Sequence, residues 1–553
     1  MISFLNLFLL LFLLGIFLSR FLSPLSFKTS ELKISGIFIV ISLFAFALYV
    51  RFSGLDFGLP NFFHPDEARK VKIAHAMIET GDLNPHYFRH PTFLLYATAL
   101  AGKSVQLITG VIPSLPDLTY LGRSVSAVLG ALSVIVVWCI ARLLFGNIPA
   151  LISGFLFAVA PLHVVCSRYI KEDAGMLFFS LCSLYFVIKW HKSDRKSFKF
   201  PILAGLFAGF STSTKYSGVL SAAFFVAFVL PVFVPKFDTG KLSLTQIALI
   251  VCTAVVFCIA GFLLISPYVL FDTPRFLKDF MGEKAHMEKG HSVAITAWSQ
   301  YWMYHFRYSI LPGLTPTIAL ISAVSLGYLF IAGRIEGMII IGCVLLFYLP
   351  AEWVKAKPEP QPERYILPCI PFLCIACGAF LDAFLRTFDK RRKVYTCVAL
   401  IVTAIALFVP ARHSILQAQA IKLDTRLLAR EWIINNIPEN SNLMIEWKYY
   451  APPLYGLNYK VIDLKSAENR GIQKKLSVET LKSLGVNYLI LSGFSFDRYL
   501  KPLYRHHPFA KKYKSLLKNL KIEMEFSNSE YSYGFHNPRI LILTVPEKNL
   551  PNE

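Results

Sequence analysis

The sequence predicts a polytopic α-helical membrane protein that ends in a small soluble α/β domain. Of its 553 residues, 55% are hydrophobic and only 16% are charged, which is less charge than a soluble protein of this length normally carries. The apolar residues also form runs long enough to cross a hydrocarbon core about 30 Å thick. The mean hydropathy of +0.53 agrees with this class.

About twelve apolar segments are candidate transmembrane helices. The first lacks the basic start and the small-residue cleavage site of a secretory signal peptide, so we expect it to be retained. The candidate spans are residues 2–19, 34–52, 124–145, 148–163, 174–190, 200–214, 216–234, 245–268, 313–333, 337–354, 365–386 and 394–411. They divide the chain into an extra amino-terminal helix with a cytoplasmic loop (1–33), a transmembrane domain (34–412) and a soluble domain (413–553).

The apolar stretch 92–112 carries Lys103 and Gln106 near its middle, and polar groups are costly in hydrocarbon. If this stretch does not cross the membrane, four strongly basic loops fall on one side, which is then the cytoplasmic side. These loops are "RFLSPLSFKTSELK", "KWHKSDRKSFK", "PKFDTGK" and "RTFDKRRK". We therefore expect 92–112 to be an interfacial or re-entrant helix.

This topology places the polar loops of mixed charge on the outer face, together with the carboxyl-terminal domain. The net charge of +22 is then explained by cytoplasmic loops and anionic membrane lipid, and not by a nucleic-acid site. All ten cysteines lie in or beside apolar spans, so the sequence indicates no disulfide framework.

The apolar spans stop at about residue 413. The segment "LDTRLLAREWIINNI" has helical spacing, with Asp424 and Thr425 as candidate caps. Short strands are predicted at "NLMIEW", "YKVIDL", "VNYLILS" and "RILILTV", each bounded by turn residues. These elements predict the soluble α/β domain, which lies outside the cytoplasm by the same topology.

Two adjacent carboxylates, Asp66 and Glu67, begin the first outer loop, which also contains Arg69 and His90. An ordinary explanation is that acids are favoured in the first turn of a helix. Further charged residues lie at the other outer boundaries, namely Lys171, Asp173, Lys215, Arg307 and Arg364. Each of these cations is individually typical of an interfacial residue whose charged end reaches the headgroups.

Together, these side chains suit one reaction class. A carboxylate at the membrane surface can take a proton from an acceptor hydroxyl as a general base. Neighbouring Lys and Arg side chains can hold a phosphate and stabilise it as it leaves. If that phosphate terminates a long lipid, the lipid tail stays between the spans. This explains why acids would be placed where the chain leaves the bilayer.

The chain resembles the polytopic C-type glycosyltransferases, which use polyprenyl-phosphate sugars and include the protein O-mannosyltransferases and the lipid A aminoarabinose transferase. The segments that carry the resemblance lie in order between residues 50 and 380. They are "HPDEARK", "HPTFLLYATAL", "RSVSAVLGALSVIVVWCIARLLFG", "AVAPLHVVCSRYIKEDAGMLFF", "GLFAGFSTSTKYSG" and "RYILPCIPF".

The resemblance implies that Asp66 is the catalytic base and that Glu67 and Arg69 complete its acidic-basic motif. It also implies that Asp173 is a second acid near the site. Donor phosphate would be bound by Lys215, with Arg364 and Arg307 as further candidates; Lys171 and His90 are candidate substrate-binding residues. Relatives differ in using a divalent metal ion. Here His64, His90, His286 and His291 could provide ligands for one, although their spacing fits no metal-binding signature. The residues before Pro91 are Arg89 and His90, where the aminoarabinose transferases tend to have an acid and a lysine.

Two other classes of function are compatible with the spans. A transporter or lipid flippase normally has ionisable groups or broken helices near the bilayer midplane. In this chain Arg142, His163, Glu352 and Asp382 lie toward the ends of spans instead. A non-catalytic lipid-binding scaffold would keep the same spans and an exported domain. The sequence favours the transferase, with a protein, a lipid or a glycan as possible acceptor.

Overall fold

The computed structural model describes residues 31–193, 197–228, 243–289, 304–354, 362–389, 393–501, 506–527 and 534–546. The amino-terminal candidate span 2–19 lies outside the described residues. The membrane domain begins with α1 (Glu31–Phe52) and contains the helices α2 (Pro65–Thr80), α3 (Phe93–Thr109), α4 (Leu115–Phe145), α5 (Asn147–Ala158), α6 (Pro161–Cys166), α7 (Glu172–His191), α8 (Lys199–Thr214), a 3-10 helix (Tyr216–Phe228), α9 (Leu244–Ile265), α10 (Tyr268–Phe271), α11 (Thr273–Lys289), a π-helical turn (Phe306–Ile310), α12 (Leu311–Leu314), α13 (Pro316–Ala332), α14 (Ile335–Trp353), a second 3-10 helix (Pro362–Cys369), α15 (Ile370–Asp389) and α16 (Lys393–Ala420).

The centre of the helical bundle is α5, which is apolar around its whole circumference and buried from Pro149 to Ala158. A helix that is apolar on all sides is stable only inside a protein or in lipid. Here it packs against α1, α4 and α15, and the rings of Phe46 and Phe155 stack at 5.8 Å. This core fixes the positions at which α1, α4 and α7 reach the membrane surface.

Six helices in the described residues are long and apolar enough to cross a membrane. They are Leu115–Phe145, Glu172–His191, Leu244–Ile265, Ile335–Trp353, Arg364–Thr387 and the apolar part of Leu400–Asn436. A seventh span is formed if the pair Phe306–Leu314 and Pro316–Ala332, bent by 108°, counts as one. The chain is thus a polytopic helical membrane protein, and the total of twelve spans stays a prediction.

Several expected spans are shorter than a full crossing. The stretch expected at 148–163 is divided at Val159 into α5 and α6, because Pro161 begins a new helix. The stretch expected from 216 is a 3-10 helix as far as Phe228. The predicted interfacial segment forms α3, whose second half exposes Leu107 and Ile108, as expected for a helix lying at an interface.

The soluble domain contains one five-stranded sheet in the order β2-β1-β3-β5-β4. The strands are β1 (Asn442–Ile445), β2 (Lys460–Asp463), β3 (Tyr488–Ser492), β4 (Lys521–Phe526) and β5 (Ile540–Thr544). The first three are parallel to one another, and β5 is antiparallel to β3 and β4. The helices of this domain are α17 (Thr425–Asn436), α18 (Arg470–Lys474), α19 (Val478–Ser483), α20 (Gly493–Leu500) and α21 (Pro508–Asn519).

The helix predicted after residue 423 is α17, and its N-cap is Asp424 as the sequence indicates. Four of the five strands lie where they were predicted. The exception is β4, "KIEMEF", an edge strand that is exposed or half-buried along its length. The last helix of the membrane domain continues past residue 413 to Ala420, so the sheet-containing part begins at α17.

The two domains are joined by a buried arginine. Arg426 is fully buried and forms an ion pair with Asp424 at 2.7 Å. It also donates hydrogen bonds to the carbonyls of Phe63, Tyr449 and Phe535. A buried guanidinium needs all its donors satisfied, so these carbonyls hold the soluble domain against the segment that precedes Asp66. We call this contact the Arg426 clamp.

Candidate active site

The site begins where the chain leaves α1 and turns into α2. His64 caps α2, since its Nδ1 accepts a hydrogen bond from the Asp66 amide at 3.2 Å, and Pro65 occupies the first helical position. Asp66 and Glu67 therefore lie in the first turn, where the helix dipole stabilises negative charge. Burial lowers the pKa of His64 to about 3, so its ring is a neutral cap at physiological pH.

Glu67 is fully buried and both of its oxygens are used. It forms a bidentate pair with Arg123 of α4, at 3.0 and 2.7 Å, and accepts the Ile170 amide at 3.0 Å. Arg123 in turn donates to the carbonyls of Leu55 and Phe57. This network fixes α2, α4 and the loop before α7 relative to one another.

The start of α7 and the residue before it supply three charged side chains to the same place, namely Lys171, Glu172 and Asp173. Lys171 forms an ion pair with Asp66, and Glu172 forms one with Lys70 of α2. Lys70 also donates to the carbonyl of Ile170 at 2.9 Å. Two salt bridges thus connect the first turns of α2 to the start of α7.

Asp173, the next residue, pairs with Lys215 at 2.6 Å. Lys215 follows the last residue of α8, and its Nζ lies 5.1 Å from the ring of Tyr365. The adjacent Arg364 is close enough to interact electrostatically with both Asp66 and Asp173. The structure therefore brings together side chains from α2, α7, α8 and the segment before α15.

Accessibility distinguishes the four carboxylates of this cluster. The side chains of Glu67, Glu172 and Asp173 are at most 3% exposed, whereas Asp66 is 43% exposed. Burial by surrounding atoms would raise the pKa of the Asp66 carboxyl, but Lys171, and then His64, Lys70 and Arg364, together hold it well below its usual range. Asp66 is thus an accessible, ionised carboxylate with cations beside it, and we call the exposed surface around it the recess.

The other candidates of the first outer loop lie at the edge of this recess. Arg69 is exposed, and its guanidinium carbon is 5.8 Å from the Tyr87 ring centre. The charges of Asp66 and Glu172 reach His90, but burial lowers the pKa of that imidazole to about 4. His90 is accordingly neutral at pH 7.

Arg307 lies on an exposed surface of the π-helical turn, over the ring of Tyr308 at 5.5 Å. This turn packs against the segment Pro362–Cys369, which contains Arg364. Arg307 is therefore near the phosphate-binding candidates by its position in the fold, although it does not join the ion-pair cluster in the described interactions.

The described residues form no group of three or more His, Cys, Asp and Glu side chains that could hold a metal ion. His64 uses Nδ1 as a helix cap, the four acids of the cluster face cations or the recess, and His286 is exposed on α11. His291 lies outside the described residues. No step below is assigned to a metal ion.

Sequence reasoning missed Lys70 and Arg123 as members of the site. Lys70 lies one helical turn after Asp66, so helical spacing could have placed both on one face. Arg123 is a charge within a long apolar helix, which by itself indicates a buried partner. A second polar contact lies deeper, where the buried Arg51 contacts His163 Nδ1 at 2.7 Å.

The comparisons with known proteins support the resemblance to the polytopic C-type glycosyltransferases that the sequence shows. A family model described as dolichyl-phosphate-mannose-protein mannosyltransferase matches residues 119–265. That range includes Arg123, Lys171, Asp173 and Lys215 but not Asp66. The search of curated proteins gave no match.

Three solved structures illustrate the shared fold. ArnT from Cupriavidus metallidurans in the apo state is 16% identical, with 91% of this chain and 97% of that chain covered and a TM-score of 0.50. The Archaeoglobus fulgidus oligosaccharyltransferase in the apo form is 13% identical, with coverages of 95% and 76% and a TM-score of 0.54. AglB from the same organism, in complex with an inhibitory peptide and a dolichol-phosphate, is 12% identical, with coverages of 95% and 75% and a TM-score of 0.54. At these identities the likeness establishes the fold.

Proposed function

We propose that the protein is a membrane glycosyltransferase that moves a sugar from a polyprenyl-phosphate donor to an acceptor hydroxyl on the outer face of the membrane. The observation that carries this proposal is the state of Asp66. Of four clustered carboxylates it alone is accessible, and it is ionised beside cations at the end of a membrane-embedded bundle. The dolichol-phosphate bound by AglB, which shares the fold, supports a lipid-phosphate donor.

The donor phosphate is bound by Lys171, Lys215 and Arg364. The ammonium groups of Lys171 and Lys215 pair with Asp66 and Asp173, respectively. The charge of Arg364 acts on both of these acids. The donor phosphate is a diester with one negative charge, and a second charge develops on it as the sugar leaves, so these cations favour the departing group more than the bound donor. The lipid tail then extends between the spans, below the recess.

The reaction is a single displacement. Asp66 accepts the proton of the acceptor hydroxyl, the oxygen attacks the anomeric carbon, and the bond from that carbon to the phosphate oxygen breaks. The electron pair of this bond leaves with the polyprenyl phosphate, whose negative charge the three cations stabilise. Attack from the face opposite the phosphate inverts the anomeric configuration.

Donor binding also makes Asp66 a better base. In the free protein the surrounding cations lower the pKa of Asp66. When the phosphodiester monoanion of the donor offsets part of this positive charge, the same carboxylate gains affinity for a proton. Proton abstraction is therefore favoured once the donor is in place.

Glu67, Arg123, Lys70 and Glu172 act as positioning residues in this proposal. All four are buried and paired with one another across α2, α4 and α7. They hold the first turn of α2 so that Asp66 faces the recess. The sequence made Glu67 a catalytic candidate beside Asp66. It is assigned a positioning role here because neither of its oxygens is available to substrate.

The test uses the full chain purified into lipid nanodiscs with a panel of polyprenyl-phosphate sugars and a membrane extract as acceptor source. The expected result is release of polyprenyl phosphate together with a product of inverted anomeric configuration, read by NMR. Lipid or solute translocation without sugar transfer would instead support the transporter. Donor binding without turnover would support the non-catalytic scaffold.

A further inference from the structure

A cavity lies in the soluble domain, where β1 and β2 end. Its volume is about 330 Å³, which is in the range of small-molecule sites. In open α/β sheets, ligands bind beyond the carboxyl ends of parallel strands. Both strands are parallel here, and their last residues or the residues following them form the walls. The lining residues are Trp447, Lys448, Tyr455, Asp463, Lys465 and Ser466.

The walls combine aromatic surface with positive charge. Trp447 and Tyr455 are the two aromatic side chains, and the Lys465 Nζ lies 4.3 Å from the centre of the Trp447 ring. The Asp463 carboxylate accepts the backbone amides of Lys448 and Lys465, at 3.2 and 2.9 Å, so both its oxygens are already engaged. With two lysine ammoniums and one carboxylate, the lining carries a formal charge of +1.

Two polar atoms at this place have no hydrogen-bond partner in the described part of the chain. One is the buried Oγ of Ser466, which lines the cavity; the other is the buried Nε of Arg498, which does not line the cavity but whose charge acts on Lys465. The Arg498 charge reaches Lys465 and adds to the positive field. A buried polar atom without a partner is costly, and here an anionic ligand would satisfy the hydroxyl and offset the surplus positive charge.

Tyr450 lies beside the cavity and within electrostatic range of the proposed base, Asp66. The Tyr450 ring is 4.7 Å from the Trp447 ring and 5.7 Å from the Lys465 Nζ. The charges of Asp66 and Arg364 both act on the Tyr450 phenol, so this side chain beside the cavity is also within electrostatic range of the proposed active site. The Arg426 clamp holds the neighbouring Tyr449 carbonyl and the Phe63 carbonyl on one guanidinium.

We propose that this cavity is the acceptor subsite and that it binds a saccharide bearing a carboxylate or a phosphate group. Sugar rings pack on aromatic faces such as Trp447, and the anionic group pairs with Lys465 and Lys448. The assignment as acceptor subsite rests on the proposed function, whereas binding of an anionic saccharide does not. A peptide acceptor would use extended backbone contacts, and the six lining residues offer a compact polar pocket instead.

Binding is measured first, on the full chain in nanodiscs, by saturation-transfer NMR. The probes are glucuronate and mannose 6-phosphate, with glucose and mannose as their uncharged counterparts. We expect the anionic probes to bind at least tenfold more tightly than the neutral ones, and Lys465→Ala to remove that difference. Lys460→Ala is the control, because Lys460 is exposed at the opposite end of β2.

Equal binding of charged and neutral sugars, unchanged binding in Lys465→Ala, or binding of a serine-containing peptide in place of the saccharides would each overturn the proposal. An Asp66→Asn variant separates the two hypotheses. We expect it to bind the anionic probes as the unmodified protein does, because Asp66 does not line the cavity. If these probes bind through Lys465 and no sugar is transferred from any donor, the subsite stands and the transferase assignment fails.

Discussion

Lys171 forms an ion pair with Asp66, from which it is separated by 105 residues of sequence. The Lys171 side chain is 4% exposed and the Asp66 side chain is 43% exposed, so the cation is buried behind an accessible carboxylate. This geometry determines the protonation of the proposed base and gives the first prediction.

Replacing Lys171 with methionine is expected to shift the acid limb of the kcat/KM profile to higher pH. In the unmodified protein the pKa of Asp66 lies well below 3.8, so kcat/KM should not fall between pH 7 and pH 5. Without the largest opposing cation, burial raises that pKa, and protonation inactivates the base at a higher pH. The measurement is the pH dependence of sugar transfer.

Lys192→Met is the matched control, because Lys192 is exposed just beyond the opposite end of α7. Its profile should overlie that of the unmodified protein. Identical acid limbs in the Lys171 variant and this control would exclude Lys171 as the group that keeps Asp66 ionised.

Asp66→Asn should reduce sugar transfer by about 10²–10⁴-fold, the usual contribution of a general base, with little effect on donor binding. Asparagine keeps the shape of the side chain but cannot accept the proton. Asp82→Asn serves as control, since Asp82 is an exposed acid just beyond the other end of α2. Transfer retained in the Asp66 variant would remove the assignment of the base.

Lys215→Ala should raise KM for the polyprenyl-phosphate donor by at least about tenfold, because a charge-assisted hydrogen bond to phosphate contributes roughly 1.5–3 kcal/mol. Lys199→Ala, at the exposed start of the same helix α8, is the comparison variant. Donor titrations monitored by polyprenyl phosphate release give both constants. An unchanged KM in the Lys215 variant would show that its ammonium contacts Asp173 alone.

The Glu67–Arg123 pair is expected to contribute to stability instead of chemistry. Removing one partner of a fully buried ion pair costs about 3–5 kcal/mol, because the other charge stays buried. Glu67→Gln and Arg123→Met should therefore each lower the thermal unfolding temperature in detergent, and the double variant should lose less than their sum. Additive losses would contradict direct coupling.

Glu446 predicts a pH dependence in the soluble domain. Burial raises the pKa of this carboxyl from 4.5 to about 7, although Tyr513 and the Ser492 amide donate to it. The folded state then binds a proton that the unfolded state has released, so the stability from this group is full below about pH 4.5 and is lost by pH 7. The change is on the order of 3 kcal/mol. The free energy of unfolding, measured with urea between pH 5 and 7.5, should depend less on pH in Glu446→Gln than in the unmodified protein. An equal pH dependence in both proteins would show that another group causes it.

The class of fold followed from features that act locally along the chain. Apolar run length predicted the helices, and Asp424 predicted the start of α17, because capping depends only on neighbouring residues. The division of 148–163 at Val159 and the strand β4 were not predicted. The first follows from Pro161, which begins a new helix, and the second depends on pairing with β5 at the edge of the sheet.

The site was predictable as a set of acids and cations but not as a set of pairs. Asp66, Asp173 and Lys215 were identified from their positions at the ends of apolar segments, and the structure brings them together. Which cation faces which acid is decided by the packing of α2 against α3 and α4 and by its salt bridge to the start of α7. For that reason Glu67 and Asp66, adjacent in sequence, differ in exposure from 0% to 43%.

The Arg426 clamp constrains how bulky molecules arrive. Because one guanidinium holds the carbonyls of Phe63, Tyr449 and Phe535, the soluble domain is fixed against the segment that precedes Asp66. We therefore expect an acceptor to reach Asp66 from the side, between the soluble domain and the helical bundle. For the proposed transferase, the distance between the soluble domain and the bundle would then limit the size of the acceptor.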